Sequence, residues 1–147
     1  MATAKTKRAD ASAEGFTAEE KAAMKERARE LRRKASAEED EQAVLEKIAS
    51  MPDADRVMGE RFHALVKKVA PELTAKLWYG MPAYYKDGKS ICFFQDAAKF
   101  KARYATFGFN EAAALDDGNM WPTSYALLKI TDAEEKRIGD LIRQAAK

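Results

Sequence analysis

The chain carries one cysteine, Cys92, and one histidine, His63, the two residue types that together can make a thiolate nucleophile and its base. Cys92 lies in Ile91-Cys92-Phe93-Phe94, a setting in which a thiol behaves as a small buried hydrophobe. His63 follows Phe62 on a helical pattern and reads as a surface or hydrogen-bonded histidine rather than a base. A structural zinc site needs four Cys or His ligands and a catalytic one about three protein ligands, so zinc is not expected. The sequence also has no Gly-rich phosphate loop with Lys and Ser/Thr, no Gly-x-Gly-x-x-Gly after a strand and no serine nucleophile elbow. No coupled acid, base and nucleophile can be assembled, and a non-enzymatic protein is expected. The remaining clustered chemistry is carboxylate: Glu38-Glu39-Asp40-Glu41, continued by Glu46, and the pair Asp116-Asp117. Oxygen ligands suit hard cations. Acids in a first helical turn also complement the macrodipole, and like-charge runs commonly form solvated faces.

A second concentration lies in residues 76–95, KLWYGMPAYYKDGKSICFFQ. Gly80 and Pro82 interrupt an aromatic strand, because Pro cannot donate to a ladder and Gly adds no packing, so the backbone is expected to bend there. A bend would let Trp78, Tyr79, Met81 and Tyr84 line a concave apolar cleft, with Lys99, Lys101 and Arg103 supplying charge at its rim. Such a cleft suits an anionic or aromatic small ligand. The competing reading makes these rings the packed face of a sheet, since a small domain must draw its core from somewhere.

The elements that would position these groups follow from caps and periodicity. Thr17 and Glu20, Ser36 and Glu39, and Thr131 and Glu134 each pair a hydroxyl with a glutamate three residues on, the signature of a capped helix start. The first helix is expected over Ala18 to Ala35 with the thin apolar stripe Met24, Ala28, Leu31 and Ala35, packing lightly or projecting. A core helix is expected over 53–70, where Met58, Phe62, Leu65, Val66 and Val69 recur at helical spacing. After Pro71 the period shortens, and four strands are expected: Leu77–Tyr85, Ser90–Gln95, Lys101–Phe109 and Tyr125–Ile130. Lys86-Asp87-Gly88-Lys89 reads as a hairpin turn, Asn110 as the cap of a short helix over 111–115, and 132–145 as a closing helix. Helices, then hairpin-linked strands, then a helix give an α+β fold whose antiparallel sheet is covered on one face.

Of the 147 residues 46% are apolar, enough for one compact core. Twelve of the fourteen aromatic residues fall between Trp78 and Tyr125, so the second half builds that core. Residues 1–16 have little to bury and are expected to form a mobile tail, 17–35 an accessory helix, and 36–147 the domain. With 26 basic and 24 acidic residues the field that gathers nucleic acid is missing, and nucleic acid is not an expected partner. No apolar stretch resembles a secretory signal or a membrane span, and the single cysteine can form no internal disulfide. Cytoplasmic location and no membrane partner are the expectations.

Trp78-Tyr79-Gly80-Met81-Pro82-Ala83-Tyr84, followed by Gly88-Lys89, Phe93-Phe94 and Ala98-Lys99-Phe100-Lys101, resembles the YdhG-like domain, a bacterial family of undefined function some of whose members are described as frataxin-like iron chaperones. The resemblance spans about residues 42–146. It implies an iron-carrying role, with Glu38, Glu39, Asp40 and Glu41 as the acidic helical surface and Asp116 and Asp117 as the second candidate pair. The alternative expectation is a protein-protein interaction module that docks through the charged first helix, with Met24 and Leu31 as its apolar contacts.

Overall fold

The computed structural model describes residues 15–32 and 36–147. Four α-helices, α1 (Ala18–Arg32), α2 (Ala37–Ala49), α3 (Asp53–Val69) and α4 (Asp132–Ala145), accompany five strands, β1 (Thr74–Trp78), β2 (Met81–Lys86), β3 (Lys89–Gln95), β4 (Ala105–Phe109) and β5 (Ser124–Leu127). The strands form one sheet in the order β1-β2-β3-β4-β5, each antiparallel to its neighbour. The α+β class is as expected, but there are five strands rather than four. Most of the tail expected over 1–16, and residues 33–35 of the expected first helix, lie outside the described residues.

The extra strand arises because Leu77–Tyr85 is two strands and a turn. Trp78 pairs with Met81, and Tyr79 and Gly80 between them both take left-handed backbone conformations, φ 52° and 75°, as the two central positions of a tight hairpin require. Glycine adopts this conformation freely, whereas tyrosine does so at a cost, which is why the turn is hard to see in the sequence. Pro82 stands opposite Leu77, and pairing of β2 with β3 begins only at Ala83, so the missing N–H costs no ladder bond. The second hairpin turns at Asp87 and Gly88, φ 51° and 78°, as expected.

Three further boundaries differ. Residues 97–100 form a 3-10 helix closed by left-handed Lys101, φ 54°, so the strand expected from Lys101 begins only at Ala105. The last strand is displaced to Ser124–Leu127. The helix expected over 111–115 is a turn: the Asn110 amide donates to Ile91 O at 3.0 Å, and the Ala114 amide to Ala145 O at 2.9 Å. Five residues are too few to repay helix nucleation, and these contacts strap the segment to β3 and α4 instead.

The core lies between one sheet face and α2, α3 and α4. Phe62 of α3 is fully buried with its ring 5.7, 5.8 and 5.9 Å from those of Tyr84, Phe94 and Phe107. Val44 and Ile48 of α2 and Ile138 and Ile142 of α4 close the sides. Each such side chain contributes about 1.5–3 kcal/mol through burial. On the opposite face Trp78 and Phe93 lie 5.2 Å apart, and the Phe93 ring covers Gly108, where a Cβ would come within 2.6 Å of it.

The first helix packs by the face opposite to the one expected. Met24 is 40% exposed and Leu31 70%, and Ala23 is the only buried residue of α1. The side turned to the domain is charged: Glu19 pairs with Lys101 at 2.8 Å, and Glu26 with Lys47 and Lys99 at 3.1 Å each. The Thr17–Glu20 capping box is formed, at 3.0 and 3.2 Å, and Ser36 caps α2 through the Glu39 amide at 3.2 Å.

Candidate functional site

The expected cleft does not assemble as one wall. Side chains alternate across a strand, and with the turn at Tyr79–Gly80 the paired residues Trp78 and Met81 share the outer face, while Tyr84, three residues beyond Met81, points into the core. Tyr84 is 1% exposed and lies beneath α3. Met81 is buried, Trp78 half-buried, and the Tyr79 ring stands edge-on to Trp78 at 5.1 Å with Arg27 of α1 above it at 5.8 Å. Lys99 reaches this turn, where Glu26 of α1 meets it. Arg103 does not: its guanidinium covers the Tyr104 ring at 5.2 Å beside Leu127 and Lys129. Tyr84 and Arg103 therefore stand outside the expected cleft, and Met81 is part of the packing.

Tyr84 belongs to a different constellation, which joins it to His63 and Glu41. Its hydroxyl lies 3.0 Å from His63 Nδ1, and His63 Nε2 lies 3.3 Å from Glu41 Oε1. Lys67, one turn beyond His63 on α3, closes on the same Glu41 oxygen. Burial holds the His63 imidazolium form down and pushes the Tyr84 hydroxyl well above its usual pKa, whereas the Lys67 hydrogen bond keeps the Glu41 carboxyl below the ordinary carboxylate range. A neutral imidazole donates from one nitrogen and accepts at the other. With the ionised Glu41 accepting from Nε2–H, Nδ1 accepts the Tyr84 O–H.

These groups line a pocket of about 200 Å³ between α2, the C-terminal half of α3 and β1. Its walls are Ala37, Val66, Pro71, Leu73 and Ala75, with Glu38, Glu41 and Lys67 at the mouth and His63 and Tyr84 inside. No protein-family model, no curated protein and no solved structure matches this chain. Gly80 and Pro82 of the Trp78–Tyr84 motif belong to the β1–β2 hairpin.

The expected metal residues are dispersed. Glu39 faces its cap partner Ser36, Glu41 turns to His63 and Lys67, and Asp116 and Asp117 are exposed in the segment between β4 and β5. Among the described residues no three His, Cys, Asp or Glu side chains converge on a point that could hold a metal ion. Cys92 is fully buried, and burial raises its thiol pKa, so it stays protonated. Among the described residues no helix is long and apolar enough to cross a membrane.

His63 is the functional candidate that its sequence position undervalues. It follows the core residue Phe62 on the chain, and its partners come from Glu41, 22 positions before it, and Tyr84, 21 positions after it. The signal present in the sequence was a lone imidazole on the edge of a broad apolar stripe, where a polar ring needs a buried partner.

Proposed function

We propose that the protein is a non-enzymatic binder of a small organic amine, taken in the pocket above His63 and Tyr84. The observation that carries this reading is the convergence of three groups with shifted acidity, Glu41, His63 and Tyr84, on one concave pocket of mixed polar and apolar lining, the combination that marks binding sites. Both His63 and Tyr84 are kept neutral, so they serve as hydrogen-bonding groups rather than as a charged base and nucleophile. With the Tyr84 proton directed to His63, the phenolic oxygen presents lone pairs to the pocket. His63 and Lys67 both engage Glu41 Oε1, and Glu38 adds a second carboxylate at the mouth. Acceptors therefore outnumber donors, which suits an ammonium group, and Val66, Leu73 and Ala75 suit a short apolar body. At about 30 Å³ per water, the volume equals roughly seven waters, which is the scale of a butylamine.

The test is titration of the full chain with butylamine and, as an anionic counterpart of equal size, butyrate, read by the His63 Cε1–H proton resonance and by thermal unfolding. Butylamine is expected to shift the resonance and raise the unfolding temperature, and butyrate to do neither. Equal responses to both, or none to either, would overturn the reading. The interaction-module alternative is favoured by the exposure of Met24 and Leu31. It is tested by whether replacing both with Gln changes the concentration dependence of the sedimentation coefficient.

A further inference from the structure

The contact between α1 and the β1–β2 turn has the form of a ligand in a site. The amide of Tyr79 donates to Glu30 Oε1 at 2.9 Å and that of Gly80 to Glu30 Oε2 at 2.8 Å. Two successive N–H groups aimed at one carboxylate form a backbone nest for an anion. Lys47 of α2 and Lys99 of the 3-10 helix then each hold one oxygen of Glu26, both at 3.1 Å. The Lys99 side chain is only 11% exposed. The glycine at the centre is required by more than its φ of 75°: a Cβ there would stand 1.9 Å from Glu26 Oε2 and 2.8 Å from Lys99 Nζ. Two carboxylates thus crowd onto one residue, where they would repel each other without the lysines. Burial works to raise the Glu26 carboxyl, and the hydrogen bonds from Lys47 and Lys99 outweigh it, so Glu26 meets these donors as an anion.

The rest of α1 adds little to this grip. Ala23 is its one buried residue, and its larger apolar side chains, Met24 and Leu31, face solvent. A helix held by charge-assisted hydrogen bonds and exposed ion pairs, with almost no apolar seal, is open to competition from a better anion and from salt. What the turn offers is two backbone donors from adjacent residues and two ammonium groups, converging from three elements on a space that glycine keeps clear. In place of two separate carboxylates, a single phosphate monoester would bring a charge of about −1.5 to −2 and three strong acceptor oxygens.

We propose that the Tyr79–Gly80 turn, with Lys47 and Lys99, is a binding site for the phosphate group of a small molecule, and that Glu26 and Glu30 of α1 occupy it as a built-in competitor. The site is separate from the His63 pocket, since it lies at the hairpin end under α1 and shares no residue with that pocket. Trp78, whose ring adjoins that of Tyr79 at 5.1 Å, reports on it.

The experiment compares the full chain with its Glu26→Gln/Glu30→Gln variant, using inorganic phosphate and phenyl phosphate as probes against chloride at equal ionic strength. The readouts are the Tyr79 and Gly80 amide resonances and the Trp78 indole N–H resonance. Removing an intramolecular competitor is expected to tighten phosphate binding by about tenfold or more, and adding Lys99→Gln to abolish the gain. Tighter binding of phenyl phosphate identifies an aromatic phosphate ester as the ligand type, and equal binding identifies the free ion; both support the site. A variant that binds no better than the parent, or a gain that survives Lys99→Gln, overturns it. A second measurement needs no substitution. In the parent chain, phosphate but not chloride should speed hydrogen exchange of the α1 amides while those of Tyr79 and Gly80 remain protected, and unchanged exchange in α1 overturns the proposal even if the variant fails to fold.

Discussion

Replacing Tyr84 with Phe deletes one oxygen from the core and leaves the ring in place against Phe62. The hydroxyl is buried and its partner is His63 Nδ1 at 3.0 Å, so the substitution removes a hydrogen bond and strands a buried ring nitrogen. Leaving such an acceptor unpaired costs about 1–3 kcal/mol, and at about 2–4 °C per kcal/mol for a chain of this size the unfolding temperature falls measurably. His63 has a folded pKa below its ordinary value of 6.5, chiefly through burial, so the unfolded chain binds its proton first. Stability from this group is complete above about pH 6.5 and declines as the pH falls from there toward the folded pKa, by at most about 1.4 kcal/mol per pH unit. Glu41 has a folded pKa below 4.5, first because of Lys67, so its contribution is lost in a second, more acidic window. Urea unfolding of the parent chain at intervals from pH 7.5 to 3.5 should show two successive losses, and a His63→Phe chain should lack the first. Stability that is flat from pH 7 to 5 in the parent, or a Tyr84→Phe chain as stable as the parent, would refute the hydrogen-bonded chain from Glu41 to Tyr84.

Phe62→Ala should cost about 3–5 kcal/mol, because a buried ring with three aromatic neighbours leaves a cavity that cannot collapse, whereas Trp78→Ala, on the outer face and half-exposed, should cost about 1–2 kcal/mol; the two denaturation midpoints decide. Gly108→Ala should destabilise by about 1–3 kcal/mol, since its Cβ would meet the Phe93 ring at 2.6 Å, and a Gly108→Ala/Phe93→Leu double variant should recover part of that in the same assay. Deleting residues 1–35 should leave a folded domain with a loss of about 1–3 kcal/mol, and the difference from the full chain should shrink at 1 M salt because α1 is held by charge. A truncated chain without a cooperative transition would show that α1 is integral to the core.

The sequence by itself determined the elements whose signals are local. Capping boxes marked the starts of α1 and α2, Asp87-Gly88 marked the second hairpin, and the spacing of Met58, Phe62, Leu65 and Val66 marked α3 as the core helix, because caps, turns and helical faces depend on residues within one or two turns of each other. The α+β class followed from their order. The first hairpin escaped because its turn uses Tyr79, a residue with no preference for the left-handed region, and that one missed turn put Tyr84 on the wrong face. The packing of α1 also ran against its sequence pattern. Its apolar stripe is too thin to outweigh what Glu26 and Glu30 find at Lys47, Lys99 and two turn amides, and those partners come from elements that only the folded chain brings together. The same holds for the pocket. Glu41, His63 and Tyr84 stand about twenty residues apart along the chain, and nothing local relates them. It is the docking of α2 and α3 over β1 and β2 that buries the imidazole and obliges it to find both partners, since a polar ring taken out of water without them would cost more than the packing returns.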